Sequence, residues 1–391
     1  MKILGLGASG YKGLRDDFYI DFLTKAKVSS IDKEEEVMEV AEGLYMPTNI
    51  VFTGSNSSGK TTILSLITYI YSLINDGRIK YNEYDFNGDK IDIETTFFLN
   101  NYLYKYYGTI NKPINDFSDS KDSFCDISNE VILKRKYWNS YGKKNLTMPF
   151  TEVTDFEKSI SDTSILFNLT KGKAQAICIN NHFDGGKFDY SMYSLEVIFD
   201  TMERTKLSNL TRQNIIQVFD NTIFDIVKNK DIGNFTVTMC DKTVKIMSDT
   251  CLSYYLSDGT KKGMVLLTIA TLVLKAGGIL LIDEIENSFH KNLVENLIFL
   301  FADKRINKKQ SILFFSTHYS EVLDIFNRRD NIYVMKNENG IYSKNLHTNY
   351  DYRGELSKSR LFNSNAYGTL LNYEQFMKLK KGLIHEISNN A

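Results

Sequence analysis

The sequence predicts an α/β fold whose main sheet is divided between the two ends of the chain. Three observations carry that prediction. The β-branched and aromatic run Asn49-Ile50-Val51-Phe52 leads through a glycine-bracketed loop, Gly54 to Thr62, into the apolar helical stretch Ile63 to Ile67. Far downstream, Ile279 to Ile282 and Ile312 to Phe315 are short continuous apolar runs, the pattern of strands buried on both faces. Helix-length segments alternate with these runs, the longest of them apolar from Met264 onward.

Composition sets the bounds. The 391 residues are 42% hydrophobic and 24% charged, which argues against disorder, and they suffice for about two or three domain-sized units. A net charge of −1 supplies no global field toward nucleic acid or anionic lipid, so such a contact needs a local patch. Cys125, Cys178, Cys240 and Cys251 form no C-x-x-C pair and fit a reducing interior better than a zinc or disulfide framework. Met1 to Gly7 is too short and too soon polar for a secretory signal, and a cytoplasmic location is expected. The apolar stretch Met264–Ile282 is long enough for a membrane span, but Lys275 interrupts it and Gly277-Gly278 splits it. It reads as a buried helix feeding a central strand, with no membrane partner.

In chain order, residues 1 to about 30 read as strands separated by Gly10 and Gly13, with Phe18, Ile20 and Phe22 alternating. Asp32-Lys33-Glu34-Glu35-Glu36 reads as a solvated charged loop. Ile91 to Leu99, the turn Asn100-Asn101, and Tyr102, Tyr104 and Tyr106 predict a hairpin. From about 113 to 190 the pattern weakens around polar clusters such as Asp116 to Asp122, and an inserted α/β or helical lid is expected over 113–234. Within it, Lys134-Arg135-Lys136-Tyr137-Trp138 could meet nucleic acid, but a strand with a snorkelling basic face is the preferred reading. Leu195, Phe199 and Met202 share one helical face; Ile215, Phe219 and Ile226 are assigned to a following helix. Phe235, Val237 and Met239, a turn at Asp241-Lys242, then Val244 and Ile246 predict a second hairpin. The chain thus divides into 1–112, an insertion at 113–234, and 235–391.

Four motifs carry chemistry. Gly54-Ser55-Asn56-Ser57-Ser58-Gly59-Lys60-Thr61-Thr62 fits G-x-x-x-x-G-K-[ST], whose small residues let successive amides turn inward around phosphate. The following helix adds its amide end, Lys60 can reach β- and γ-phosphates, and Thr61 can ligate Mg²⁺. In Leu280-Leu281-Ile282-Asp283-Glu284 an apolar strand delivers Asp283 to hold Mg²⁺ and Glu284 to polarise an attacking water. Ser257-Asp258-Gly259 opens a helix, a ready anion site. Phe314-Phe315-Ser316-Thr317-His318 ends a buried strand on a histidine suited to sensing the γ-phosphate.

In this order the motifs resemble the ABC-type ATPases of the P-loop NTPase class, specifically the soluble group that includes OLD-family, RecF and SMC-head proteins. Gly54–Thr62 then corresponds to Walker A, Leu256-Ser257-Asp258-Gly259 to the signature, and Asp283-Glu284 to Walker B. Ile285-Glu286-Asn287-Ser288-Phe289-His290 resembles the D-loop and Thr317-His318 the switch histidine. The resemblance covers about 1–110 and 235–345. It implies ATP and Mg²⁺ as cofactors and a homodimer or higher homo-oligomer in which one subunit's signature closes on the other's phosphate loop. Asp258 stands where transporter signatures carry a glycine, no glutamine between Thr61 and Leu99 serves as a Q-loop, and Tyr11 is a candidate for adenine stacking.

Lys60 and Ser257 are 257 − 60 = 197 residues apart, which speaks against a transporter subunit, and no sustained heptads suggest an SMC coiled coil. After His318, 391 − 318 = 73 residues remain without an Asp-x-Asp pair, so a Toprim nuclease in this chain is not expected. The stretch Asp351 to Lys358 resembles the tail of stand-alone ATPases that act beside a separate Toprim-type nuclease in bacterial antiphage defence. The resemblance therefore implies an ATP-hydrolysing sensor or scaffold with a separate effector; the alternative is a RecF-like repair or replication ATPase that binds DNA.

Overall fold

The computed structural model describes residues 1–113, 123–153, 163–170, 195–204, 206–229, 233–289, 291–351, 356–369 and 373–389. The polar cluster 116–122, Cys178, His290 and positions 352–355 lie outside the described residues.

The chain opens with β1 (Lys2–Ser9) and β2 (Tyr19–Asp21), then α1 (Ser30–Glu35) and the hairpin β3 (Val37–Ala41) and β4 (Leu44–Pro47). Next come β5 (Asn49–Thr53) and α2 (Lys60–Asp76), joined by the glycine-bracketed loop. The predicted hairpin is β6 (Lys90–Leu99) and β7 (Tyr102–Asn111). Its turn residues Asn100 and Asn101 both have positive φ, 51° and 64°, as a two-residue hairpin turn requires. Then follow β8 (Asp126–Lys136), the short β9 (Thr151–Glu152), α3 (Ile165–Thr170), α4 (Leu195–Arg204), α5 (Asn209–Phe219) and β10 (Ile223–Lys228). The second predicted hairpin is β11 (Phe235–Met239) and β12 (Val244–Met247), followed by α6 (Asp249–Tyr255) and α7 (Asp258–Ala276). The last third holds β13 (Ile279–Ile282), α8 (Ile285–Ser288), α9 (Lys291–Ala302), β14 (Ile312–Thr317), β15 (Ile332–Asn337), β16 (Ile341–Asn345), α10 (Lys358–Asn363) and α11 (Tyr373–Asn389).

The central sheet runs β13-β14-β5-β15-β16, so its middle strand comes from the first part of the chain and the rest from the last. The first four strands are parallel and β16 is antiparallel, the mixed and divided sheet that the sequence predicts. Its strands alternate between two cores. Ile50, Phe52, Leu281 and Phe314 join one cluster with α2 and the N-terminal strands, while Val51, Leu280, Leu313 and Phe315 join another with α7 and α9. A strand covered on both faces has no polar side, which is why these segments read as unbroken apolar runs. Strand β13 lies at one edge of this sheet, not at its centre as expected for the strand after the long helix. No helix among the described residues is long and apolar enough to cross a membrane.

A second, antiparallel sheet runs β2-β1-β6-β7-β8-β9, and a third β10-β11-β12. Strand β8 pairs along most of its length with β7, and β10 pairs with β11. Backbone hydrogen bonding therefore runs across the limits at 112 and 234 that the sequence suggests. Ile226 belongs to β10, not to the helix carrying Ile215 and Phe219; the backbone leaves α5 at Asp220 in an extended conformation.

Residues 32–36, read as a charged loop, fall largely in helix α1. Ser29 caps it, accepting from the Asp32 amide while Asp32 accepts from the Ser29 amide, a full capping box. Arg328, 6% exposed, then donates to Asp32 at 2.9 Å and pairs with the fully buried Asp330 at 2.5 Å. Asp330 also accepts from the Lys25 amide at 2.7 Å, and Glu36 accepts from the Asn327 amide at 2.7 Å. The helix is thus fixed by a long-range ion pair to Asp32 and by the distant amides that Glu36 accepts from, which no local periodicity announces. Arg328→Ala strands the Asp330 carboxylate and is expected to cost about 3–5 kcal/mol in chemical denaturation; a loss under ~1 kcal/mol would assign the network no such role.

Candidate nucleotide-binding site

The carboxyl ends of β5, β13 and β14 meet at one rim of the central sheet, where open α/β sheets bind ligands. From the end of β5 the chain turns through Gly54–Gly59 into α2, and two glycines make that turn possible. Gly54 has φ 151°, and a Cβ there would lie 2.5 Å from the Met335 carbonyl oxygen; Gly59 has φ 99°, and its Cβ would lie 2.4 Å from Ile341 Cγ2. Ser57 is also left-handed at φ 59° and exposed with Asn56, its carbonyl accepting from Asn337 Nδ2 at 3.3 Å. Ser58 Oγ is buried and has no partner.

Helix α2 begins at Lys60. Lys60, 5% exposed, donates to the carbonyls of Gly54 at 3.1 Å and Ser55 at 2.9 Å. Burial pushes its ammonium down to about 8 despite the opposing pull of Asp283, Glu284 and Glu286. Next in the helix, Thr61 donates to Asp283 Oδ2 at 2.6 Å, while Thr62 is half-buried. Strand β13 thus brings Asp283, 2% exposed, onto the first turn of α2.

Strand β14, between β5 and β13, supplies a residue the motif reading left without a role. Ser316 Oγ donates to Asp283 Oδ1 and accepts from the Glu284 amide, the latter at 2.7 Å. Its signal in the sequence is the hydroxyl pair Ser316-Thr317 at the end of the apolar run Ile312–Phe315. Glu284 itself sits at φ 46°, ψ 60°, a conformation that costs a β-carbon residue about 1–3 kcal/mol and clusters at functional sites. Its carboxylate lies 4.0 Å from His318 Nε2. Burial, then the Lys60 charge, lower the His318 pKa from its ordinary value, which favours the neutral imidazole at pH 7. Glu286, a second group without an assigned role, fixes the histidine by accepting from the His318 amide at 2.5 Å.

The structure thus gathers Gly54–Thr62, Asp283, Glu284 and His318 at one rim and leaves Ser257, Asp258 and Gly259 apart. The hollow around Ser257 is lined by residues of α6, α7 and their junction, with no phosphate-loop residue among them. Ser257 caps α7, accepting from the Thr260 amide at 3.0 Å, and all three residues are exposed. Asp258 pairs with Lys261 at 2.8 Å, which offsets the charge it brings to this helix end. Tyr11 is 1% exposed and packs on Tyr69, so it has no face for a base. The accessible aromatic beside the loop is Tyr342, whose ring carries the Arg15 guanidinium 3.9 Å from its centroid; its neighbour Ile341 packs on Gly59.

The donor set suits a magnesium-bound nucleotide. Lys60 is a buried cation held only by its own loop's carbonyls, and Ser58 Oγ is an orphaned hydroxyl. No group of three His, Cys, Asp or Glu side chains among the described residues could hold a metal. Two adjacent oxygens, Thr61 Oγ1 and Asp283 Oδ2, fit Mg²⁺, which takes few protein ligands and keeps phosphate and water.

A family model described as an AAA domain, putative AbiEii toxin, type IV TA system, matches residues 250–324, from α6 through β14 to the turn after it. No curated protein matches the chain in sequence. Among solved structures, an SMC head bound to the C-winged helix domain of ScpA is similar at TM-score 0.45 and 14% identity, covering 88% of this chain and 98% of that one. The SMC head domain from Thermotoga maritima is similar at TM-score 0.43 and 13% identity, covering 88% and 99%. An ATP-binding cassette dimer in a post-hydrolysis state with ADP and Pi is similar at TM-score 0.33 and 10% identity, covering 87% and 98%.

Proposed function

We propose that the chain is a magnesium-dependent ATP hydrolase whose sites are completed by a second copy. The observation that carries this reading is the placement of its two anion-binding helix ends on opposite faces of one sheet. Helix α2 packs in one core and α7 in the other, with the sheet between them. The phosphate loop therefore opens a helix on one side of the sheet and Ser257 opens a helix on the other, and no phosphate-loop residue lines the hollow around Ser257.

In this reading each residue of the rim has a role. The Gly54–Thr62 amides and Lys60 bind β- and γ-phosphates, and Thr61 and Asp283 would hold Mg²⁺, which neutralises charge on the phosphates. Glu284 accepts the proton of the attacking water. His318, neutral and held through its amide by Glu286, orients that water or the γ-phosphate. Ser257 and the first amides of α7 add donors from the partner copy. The Tyr342–Arg15 pair offers a flat surface to the base. Contacts that exist only with γ-phosphate present couple assembly to nucleotide state.

For the biological role we propose the sensor or scaffold subunit of an antiphage system, acting with a separate effector of Toprim-nuclease type. What supports it is the resemblance of the stretch Asp351 to Lys358 to the tail of stand-alone ATPases that act beside such a nuclease, while the phosphate loop and the segment after Asp283 resemble OLD and RecF versions alike. A weaker support is the match to a family described as a putative toxin.

The composite site is tested with Ser257→Arg, which alters an exposed cap in a hollow that no phosphate-loop residue lines. ATP affinity of the isolated chain is expected within about twofold of wild type, with turnover down about a hundredfold. Unimpaired phosphate release would mean that the site is complete within one chain.

A further inference from the structure

Helix α11 is the last element among the described residues. Every side chain from Phe376 to Ile387 except Met377 is exposed. Yet Phe376, Leu379, Leu383 and Ile387, spaced by three and four, place an apolar stripe in solvent at 60%, 57%, 46% and 70% exposure. A lone helix of 17 residues is marginal in water, and Gly382 at its middle weakens it by about 1 kcal/mol more. Such a helix requires a surface.

The molecule carries one of matching chemistry. A groove of about 1110 Å³ runs between α9, α1 and α5, with Leu293, Phe299, Ile306 and Val218 on its walls. Phe299 and Ile306 are 55% and 45% exposed. Asn49 and Asn331, 3% and 1% exposed, are among its lining residues, and the buried Oδ1 of each has no partner. Both are acceptors. Glu34, Glu35 and Glu36 stand on the groove's rim, while Asp303 and Arg305 pair with each other and leave Lys304 as the rim's other cation. Helix α11 offers the complement: Lys378, Lys380 and Lys381, of which Lys380 lies on the apolar face, four after Phe376 and three before Leu383. Lys380, set within the apolar stripe, would meet countercharge in the carboxylates of Glu34 and Glu35 at the rim.

We propose that α11 of one chain docks in the α9 groove of a second copy, and that this exchange assembles the protein without nucleotide. Two α11 helices laid stripe to stripe would bury too little for the ~1,200 Å² of a stable interface; two reciprocal dockings add both groove walls. The groove opens beside Asn49 and Asn331, which precede the bodies of β5 and β15, whereas the phosphate loop follows the other end of β5. This interface therefore leaves the nucleotide face free, and ATP can join the exchanged pairs into larger assemblies.

The test is sedimentation of the full-length chain without nucleotide. At about 10 µM the wild type is expected to be a dimer or larger, and Leu379→Glu/Leu383→Glu and, separately, Phe299→Glu to weaken that association at least a hundredfold. All three side chains are exposed in the fold, so unchanged circular dichroism and melting are expected. Partner identity is read by mixing differently tagged chains, one with Leu383→Cys and one with Phe299→Cys, after Cys178, Cys240 and Cys251 are replaced by Ser. A disulfide between the two tags supports the exchange. A wild type that is monomeric without nucleotide, a Leu379→Glu/Leu383→Glu variant that still associates, or, in a chain carrying both cysteines, a bond formed only within that chain overturns it.

Discussion

Lys60→Ala is expected to weaken ATP binding by at least 10²–10³-fold, an effect of about 3–4 kcal/mol, as removal of a desolvated charge from a phosphate contact requires. The ammonium has no anionic partner within hydrogen-bonding distance; it rests on the Gly54 and Ser55 carbonyls, and burial pushes it down to about 8. A triphosphate supplies the countercharge that the apo loop withholds. Because the buried charge costs free energy in the nucleotide-free protein, its loss is expected to change the apo stability by less than about 1 kcal/mol. Two measurements separate binding from folding: titration with ATP, and the rise in melting temperature that ATP gives the wild type. An ATP-induced rise equal to that of wild type would remove Lys60 from the phosphate site.

Glu284→Gln is expected to keep ATP affinity and reduce hydrolysis by about 10²–10⁴-fold, the usual contribution of a positioned general base. The amide reproduces the shape of the carboxylate and the Ser316 contact uses the backbone amide, so the left-handed turn is preserved. With the base gone and γ-phosphate intact, the sandwich of two copies is expected to persist in ATP, read by light scattering beside phosphate release. If the variant turned over ATP at the wild-type rate, the proton would have to go elsewhere, and Glu286 or His318 would be the next group to test.

Much of this site is legible in the sequence because its parts are local. A strand, a glycine-bracketed loop and a helix are contiguous, and so are the apolar run and the acidic pair at Asp283-Glu284. What escaped depends on long-range partners. Ser316 gains its role only because β14 lies between β5 and β13. Helix α1 forms through its capping box and Arg328, almost three hundred residues on, so a charge run alone reads as a loop. Ile226 follows helical spacing from Ile215 and Phe219 by coincidence, since a strand can place an apolar residue at the same interval. Tyr11 has the residue type for stacking but the burial of a core side chain, and burial is not written in a single position. Likewise β8 carries the apolar run Val131-Ile132-Leu133 and the basic run Lys134-Arg135-Lys136, and its pairing with β7 only the fold discloses.

The placement of α2 and α7 on opposite faces of the sheet also has a genetic meaning. In the proposed assembly each chain would give its phosphate loop to one site and its Ser257 end to another, so a defect at Ser257 would be felt in the neighbour. A cell producing both normal and Ser257-altered chains would populate mixed assemblies in which sound phosphate loops face a damaged cap. Alleles at this surface would then act as dominant inhibitors, whereas a chain that never folds would be recessive.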